Sequence, residues 1–411
     1  MRSFKSIPRG IIYHRLFLDI QSLCSALFTK LEDQETIRLF ETNFAFYNSC
    51  KYCTCFPYAR TAIYFALKAI NLPPGSEIIM PPITIKAILD VILYLNLKPV
   101  YVDLDVDTLC YDTHLLKESI TQSTKAILIT YLFGIVPNMD EIISTCKKNN
   151  LFIIEDFSQC LNGEYREKKV GGFGHVGVYS ASSIKTLDLY GGGLLITNDS
   201  NLHQKLQKDK ISLSKPSRLN LLQKITIDLI RNLATSKVVF HLITFPFIKL
   251  LSRVRPKSAI KHTGNRKKKP IKKLPQQWFC RFTSFQAKLG LKILNNISNT
   301  DRMRIHNVEW LKSKTSKLHY PKGVNHSKNV YWQFITYTSN SYKLQKHLQQ
   351  FAIDTSTTSL EHIAHLELYP YKKTTCVAEN IYLNGLFIPS YPGLSSNDLS
   401  RIAKAIDQFK E

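Results

Sequence analysis

An aspartate that closes the apolar run Leu151-Phe-Ile-Ile-Glu-Asp156, and a lysine that follows the next such run, Tyr179-Ser-Ala-Ser-Ser-Ile-Lys185, have the types and spacing to do chemistry together. If the two runs are neighbouring strands, Asp156 and Lys185 emerge at the edge of the sheet where ligands bind. Pyridoxal phosphate needs both groups. A lysine holds it as a Schiff base, and an aspartate keeps the pyridine nitrogen protonated so that the ring accepts electrons from a substrate carbon. Ser180 and Ser183 add hydroxyls near the lysine that suit a phosphate. Taken singly, each has a plainer reading: a strand-end aspartate caps helices, and a lysine is usually a solvated surface charge.

Such a pair requires a scaffold that brings strand ends together. From Cys50 to about Thr197, short β-branched runs alternate with helical patterns. Strands are expected at 52–56, 77–80, 99–103, 126–130, 151–155, 177–180 and 194–197, with amphipathic helices at 61–70, 83–95 and 140–148. Strands that are apolar on both faces and separated by helices predict an α/β fold, a mainly parallel sheet flanked by helices. Beyond residue 275 helices are expected at 284–295, 341–351 and 397–409, with a strand at 330–336. The chain thus divides into an N-terminal segment with a large domain (1–215), a basic insert (216–275) and a small C-terminal α/β domain (276–411).

The order of the short motifs is more specific than any one of them. Phe40-Glu41, Arg60-Thr-Ala-Ile-Tyr-Phe-Ala-Leu67, Pro73-Pro-Gly-Ser-Glu-Ile-Ile-Met-Pro81, Ile154-Glu-Asp-Phe-Ser-Gln159, Val170-Gly-Gly-Phe-Gly174, Ser180 to Lys185 and Gly192-Gly-Leu-Leu-Ile-Thr-Asn-Asp199 succeed one another. With the segments after the basic insert, this succession resembles the DegT/StrS-type nucleotide-sugar aminotransferases, pyridoxal-phosphate enzymes of fold type I. The resemblance implies Lys185 as the Schiff-base lysine that also moves the substrate proton, Asp156 as partner of the pyridine nitrogen, and Gln159 beside the ring. It implies Ser180 and the helix start at Ala59 and Arg60 as phosphate ligands, the last through backbone N–H groups and the helix dipole. Trp278-Phe-Cys-Arg281 resembles the segment that reaches across a homodimer interface to a shared active site, with Arg281 as a further cofactor contact. His365 aligns loosely with a histidine of the sugar pocket. The resemblance further implies an amino donor, usually glutamate, a keto-sugar nucleotide as acceptor, and a role in surface polysaccharide such as lipopolysaccharide. Two positions depart from the pattern: Ile85 stands where an aromatic ring usually packs on the cofactor, and Phe279 where an asparagine usually binds the neighbouring subunit's phosphate. Those departures motivate a competing expectation, a catalytically silent scaffold that binds acidic lipid or nucleic acid. Retention of Lys185, Asp156, Gln159 and Ser180 together argues against it.

Composition bounds these readings. At 44% apolar and 11% aromatic, the 411-residue chain is globular rather than disordered, and its 16 Gly and 17 Pro exclude collagen-like classes. Its net charge of +24 is local. Residues 201–275 hold 19 Lys and Arg against Asp209 and Asp228, a local +17, leaving +7 elsewhere. Within this block, Leu219 to Leu233 predicts an amphipathic basic helix with Lys224, Asp228 and Arg231 on one side and Leu222, Ile225, Leu229 and Leu233 toward another. Val238 to Ile248 is too short to span a membrane, and Arg253 to Lys273 is expected as an exposed loop. Peripheral contact of residues 216–273 with anionic membrane is expected; nucleic acid is disfavoured, because Arg253 to Lys273 lacks aromatic residues for base stacking. Nine cysteines, an odd number in a chain of this size, favour free thiols in a reducing compartment. The N-terminal apolar stretch is broken by His14, Arg15 and Asp19, so it does not form a secretory signal, and a cytoplasmic protein is expected. Cys50, Cys53 and Cys55 lack a second pair to complete a metal site, and Cys53 and Cys55 are expected on one buried face of a strand.

Overall fold

The computed structural model describes residues 6–254 and 269–410. Seven strands form its central sheet: β1 (Tyr52–Phe56), β2 (Glu77–Met80), β3 (Lys98–Tyr101), β4 (Thr124–Thr130), β5 (Phe152–Asp156), β6 (Val176–Ser180) and β7 (Gly193–Thr197). Their order is β1-β7-β6-β5-β4-β2-β3. All neighbours are parallel except β7, which runs antiparallel to both β1 and β6. Both faces are covered, as the continuous apolar strands require: β7 and residues 153–156 of β5 are buried throughout.

Helices α1 (Leu16–Phe28), α2 (Gln34–Tyr47), α3 (Ala59–Ile70), α4 (Met139–Lys148), α5 (Arg218–Thr235) and α6 (Ser284–Ile293) matter most for the site. Helix α3 is alanine-rich and buried along most of its length, and Asn71 ends it in a left-handed conformation (φ 47°). In α4, Asn138 caps the start, Asp140 and Glu141 occupy the first turn and Lys147 and Lys148 the last, matching the helix dipole. The apolar side chains of α2 and α6 pack on one face of the sheet with Cys53 and Cys55, which lie buried side by side in that core. Phe282, Phe285, Leu289 and Ile297 belong to this same core, so the chain after the insert first completes the large domain. A separate core holds the C-terminal part, where a two-stranded antiparallel pair, Phe334–Tyr337 with Gly385–Ile388, packs with helices that supply Leu344, Leu348, Ile402 and Ile406. Ile7 joins this core too, through backbone bonds to Ala352 and Asp354, so an N-terminal strap ties the two ends of the chain together.

The basic segment differs from expectation. Helix α5 lies along α1 and the sheet domain, and it turns Leu221, Ile225 and Asp228 inward. Lys224 shares that inward side, whereas Leu219, Ile227, Ile230 and Leu233 are exposed. The expected division into two sides therefore holds only in part: Ile225 is buried, Leu222 packs on the core and Arg231 stays exposed, whereas Asp228 and Lys224 of the charged stripe turn inward, where they have partners in the fold, and Leu233 faces out. Among the described residues no single helix is long and apolar enough to cross a membrane; Arg218–Thr235 and Lys237–Ser252 pass such a test only jointly, bent by 60°. Most of the expected loop around Arg266–Lys269 lies outside the described residues.

Candidate active site

The C-terminal ends of β1, β5 and β6 and the start of β7 meet at one edge of the sheet. Register fixes the neighbours: Asp156 on β5 lies opposite Val178 on β6, Ser180 opposite Gly193 on β7, and Gly193 opposite Phe56 on β1, two residues before Tyr58 and the start of α3. Gly193 has no room for a side chain, since a Cβ there would stand 2.2 Å from the Tyr58 carbonyl. That close approach places the first turn of α3 beside Ser180.

Asp156 is buried, and one carboxylate oxygen accepts the Ser158 backbone N–H at 3.0 Å. Ser158 Oγ in turn accepts the Ser180 N–H at 2.9 Å, which locks β5 to β6 at the edge. Gln159 Oε1 accepts the Phe133 N–H at 2.8 Å and is fixed in the same floor. Ser180 Oγ lies 3.1 Å from Ser182 Oγ. Lys185 follows in an irregular loop and places its Nζ 3.9 Å from the ring centroid of Trp332, whose indole N–H donates to the Ile184 carbonyl at 2.9 Å. Burial lowers the Lys185 amine to about 8, while the charge of Asp156 pulls the other way. Burial likewise raises Asp156, opposed by its bonds from Ser158 and by the Lys185 charge. An amine and a carboxylate thus shift toward their neutral forms together, a pattern common in reactive sites.

Beside this pair, the N-cap residue Tyr58 makes no side-chain cap, so the start of α3 has no side-chain acceptor of its own. Arg60 is stacked between Tyr58 (4.1 Å) and Trp278 (4.4 Å), and its buried Nε has no partner. A buried carboxylate with a half-buried amine within reach of its charge, a helix start and an orphaned guanidinium nitrogen beside a serine hydroxyl fit a cationic ring with a phosphate arm, the chemistry of pyridoxal phosphate.

The structure brings Lys185, Asp156, Gln159, Ser180, Ala59 and Arg60 to this edge and leaves others elsewhere. Ser183, expected as a phosphate ligand, donates its hydroxyl to Asp228 on α5. Arg281 is held by Glu32 at 2.9 Å and by the carbonyls of Leu213 and Ile211, within its own subunit. His365 packs on His362 at 4.0 Å and lies 3.9 Å from Glu379. Burial, with a contribution from His365, lowers His362 to about 4. Phe279 packs against Tyr64 and Phe65 of α3.

Three residues near the site carry no recognisable motif: Trp332, Lys224 and Asp228. The i, i+4 spacing of Lys224 and Asp228 on one helix face signalled them, but spacing does not say which face turns inward. A cavity of about 490 Å³ adjoins the lysine loop, lined by Ser183, Ile184 and Trp332 and by Arg9, Arg231 and Arg304.

Comparison with known proteins places the chain. The sequence pattern of the DegT/DnrJ/EryC1/StrS aminotransferase family matches residues 21–218 and 259–407. A GDP-perosamine synthase of Caulobacter vibrioides is 25% identical over 382 residues, 90% of this chain and 88% of that protein. A GDP-perosamine synthase of Escherichia coli O157:H7 is 34% identical over 169 residues, 41% of this chain and 46% of that one, so this match spans less than half of the relative. Among solved structures, an aminotransferase from Psychrobacter cryohalolentis superposes with a TM-score of 0.75 at 20% identity, over 97% of this chain and 98% of that one.

Proposed function

The chain belongs to the DegT/DnrJ/EryC1/StrS family of pyridoxal-phosphate-dependent sugar aminotransferases, with the fold type I architecture, and on that premise we propose that it transfers an amino group from glutamate to a keto carbon of a nucleotide-linked sugar. The observation that carries the proposal is the meeting, at one edge of the sheet, of Asp156 at the end of β5, Lys185 in the loop after β6, within reach of the Asp156 charge, and the uncapped start of α3 beside Ser180. When bound, the cofactor supplies an aldehyde that takes up the amino group and a ring that draws electrons from the reacting carbon. Asp156 would hold the ring nitrogen in its protonated form. Gln159, oriented by the Phe133 N–H, would sit beside the ring, and Ser180 with the start of α3 would hold the phosphate. Nζ of Lys185 would anchor the cofactor and, once displaced by the amino donor, would carry the proton from the donor carbon to the cofactor's C4′ carbon, and in the second half of the reaction from C4′ to the carbon of the sugar. A pKa of about 8 lets this amine exchange protons near neutral pH. Lysine at this position, rather than the histidine of the family's dehydratase branch, favours transamination.

The cavity beside Trp332 is the proposed entrance for both substrates, with Arg231 at its rim to meet carboxylate or diphosphate. The named activity of the GDP-perosamine synthases supports a nucleotide-linked sugar as the acceptor; surface polysaccharide synthesis in the cytoplasm is the further role we propose with it. We also propose a homodimer with shared active sites, supported by the exposed Phe28, Leu39 and Phe46 of α1 and α2. Contact with anionic membrane is proposed through the outward aliphatic residues of α5 and the following helices.

The test is direct. Purified protein incubated with pyridoxal phosphate should show a visible absorption band, and borohydride should fix the cofactor mass on Lys185. Glutamate and keto-sugar nucleotides should then turn over, with Lys185→Ala lowering the rate by at least about 10³-fold. Cofactor found on a different lysine, or turnover unchanged by Lys185→Ala, overturns the proposal.

A further inference from the structure

The family match omits residues 219–258, yet this stretch contributes directly to the site edge. Lys224 of α5 places its Nζ 4.4 Å from the ring centroid of Tyr58, the residue that begins α3. The same amine would lie 2.9 Å from a Cβ built on Gly191, in the turn that leads into β7, and its charge reaches Cys280. One helical turn further on, Asp228 accepts the Ser183 hydroxyl, two residues before Lys185. Helix α5 therefore runs along the lysine loop, with Lys224 pointed at the start of α3.

The charges there are unbalanced. Arg60 stacks on the Tyr58 ring at 4.1 Å and Lys224 approaches the same ring at 4.4 Å, and among the described residues neither has an ion-paired carboxylate. Asp228, the acid one turn from Lys224, is engaged by Ser183 and by Arg231 at 3.4 Å. Two cations around one ring, at the positive end of a helix, repel each other until an anion enters between them. Phe279, meanwhile, is packed on Tyr64 and Phe65 and has no polar atom to offer a phosphate.

We propose that Lys224 binds the cofactor phosphate from within the same subunit, with the start of α3 and Ser180, and so supplies the polar contact that Phe279 lacks. The proposal rests on the reading of this edge as the pyridoxal-phosphate site. It makes the segment outside the family pattern part of the cofactor site and explains why its helix is packed inward.

The test compares pyridoxal phosphate with pyridoxal, which lacks the phosphate, on the full chain. Lys224→Met should weaken pyridoxal phosphate by about ten- to a hundredfold, the range for losing one charge-assisted contact. It should leave pyridoxal within about twofold, the change expected when no contact is lost. Lys224→Arg should restore most of the difference. In the unmutated protein, inorganic phosphate should protect Lys224 from acylation as mapped by mass spectrometry, a readout independent of any variant. Equal weakening of both ligands, an unchanged pyridoxal phosphate affinity, or no protection by phosphate overturns the proposal while leaving the cofactor reading intact. Failure of the unmutated chain to capture pyridoxal phosphate at Lys185 overturns both.

Discussion

At Lys185 the tertiary environment decides the protonation state. Burial brings the amine to about 8, so its reactive neutral form grows as pH rises toward that value and levels off above it. Covalent capture of pyridoxal phosphate by the cofactor-free protein should therefore speed up between pH 6 and about 8 and then flatten; a rise continuing to pH 10 would show an ordinary exposed lysine. Asp156→Asn keeps the shape of the side chain but removes the charge that would hold a protonated ring nitrogen. It should cost about 10²–10⁴-fold in turnover, with Lys185 still labelled by borohydride. Asp156, Lys185 and Ser180 stood out as candidates in the sequence because each sits near a strand end, and Gln159 through the family resemblance; the structure gathers all four at one edge of the sheet. Trp332, against which the lysine amine lies, did not stand out, since more than a hundred positions separate it from Lys185 and only chain packing joins them.

Helix α5 shows how an element can carry the right apolar stripe and still turn part of its charged stripe inward. Its apolar and charged stripes were visible in the sequence, but an amphipathic helix with aliphatic residues on two sides has two candidate inner faces. Packing on α1 and the bond from Ser183 select the side that carries Leu221, Ile225 and Asp228. Ile225→Ala should then cost about 2–4 kcal/mol in urea unfolding, whereas Ile230→Ala, 60% exposed, should fall within about 0.5 kcal/mol of the parent. The N-terminal strap adds a pH dependence. Burial alone would lower His14, but its hydrogen bond to Asp19 and the charge of Asp188 raise it to about 9, and burial raises Asp188 to about 7. Both groups hold more protons folded than unfolded. The His14 contribution is complete below about pH 6.5 and is lost as pH rises through about 9, and Asp188 acts in the same direction between about pH 4 and 7. Urea midpoints should therefore fall from pH 6.5 to 9, and His14→Gln should flatten that fall; an unchanged slope would place the linkage elsewhere.

Across the whole molecule, net charge and exposed apolar surface concentrate in the same region. Leu219, Ile227, Ile230, Leu242, Ile243 and Phe247 face outward in the segment that holds most of the excess charge. Ile230→Glu combined with Leu242→Glu should reduce co-sedimentation with anionic vesicles at least about threefold without altering cofactor capture. Equal sedimentation of parent and variant, or loss of dimer in the variant by light scattering, would assign the surface to something other than lipid. The sequence by itself determined the α/β class and, to within a few residues, the seven strands of the sheet, and it offered Lys185 and Asp156 as candidates, because strand periodicity and motif spacing are local properties of the chain. Only the tertiary structure decided which face of α5 turns inward, that Ser183 serves Asp228, and that Lys224 stands beside Tyr58. Those contacts join residues far apart in sequence, and their geometry depends on how helices settle on the sheet.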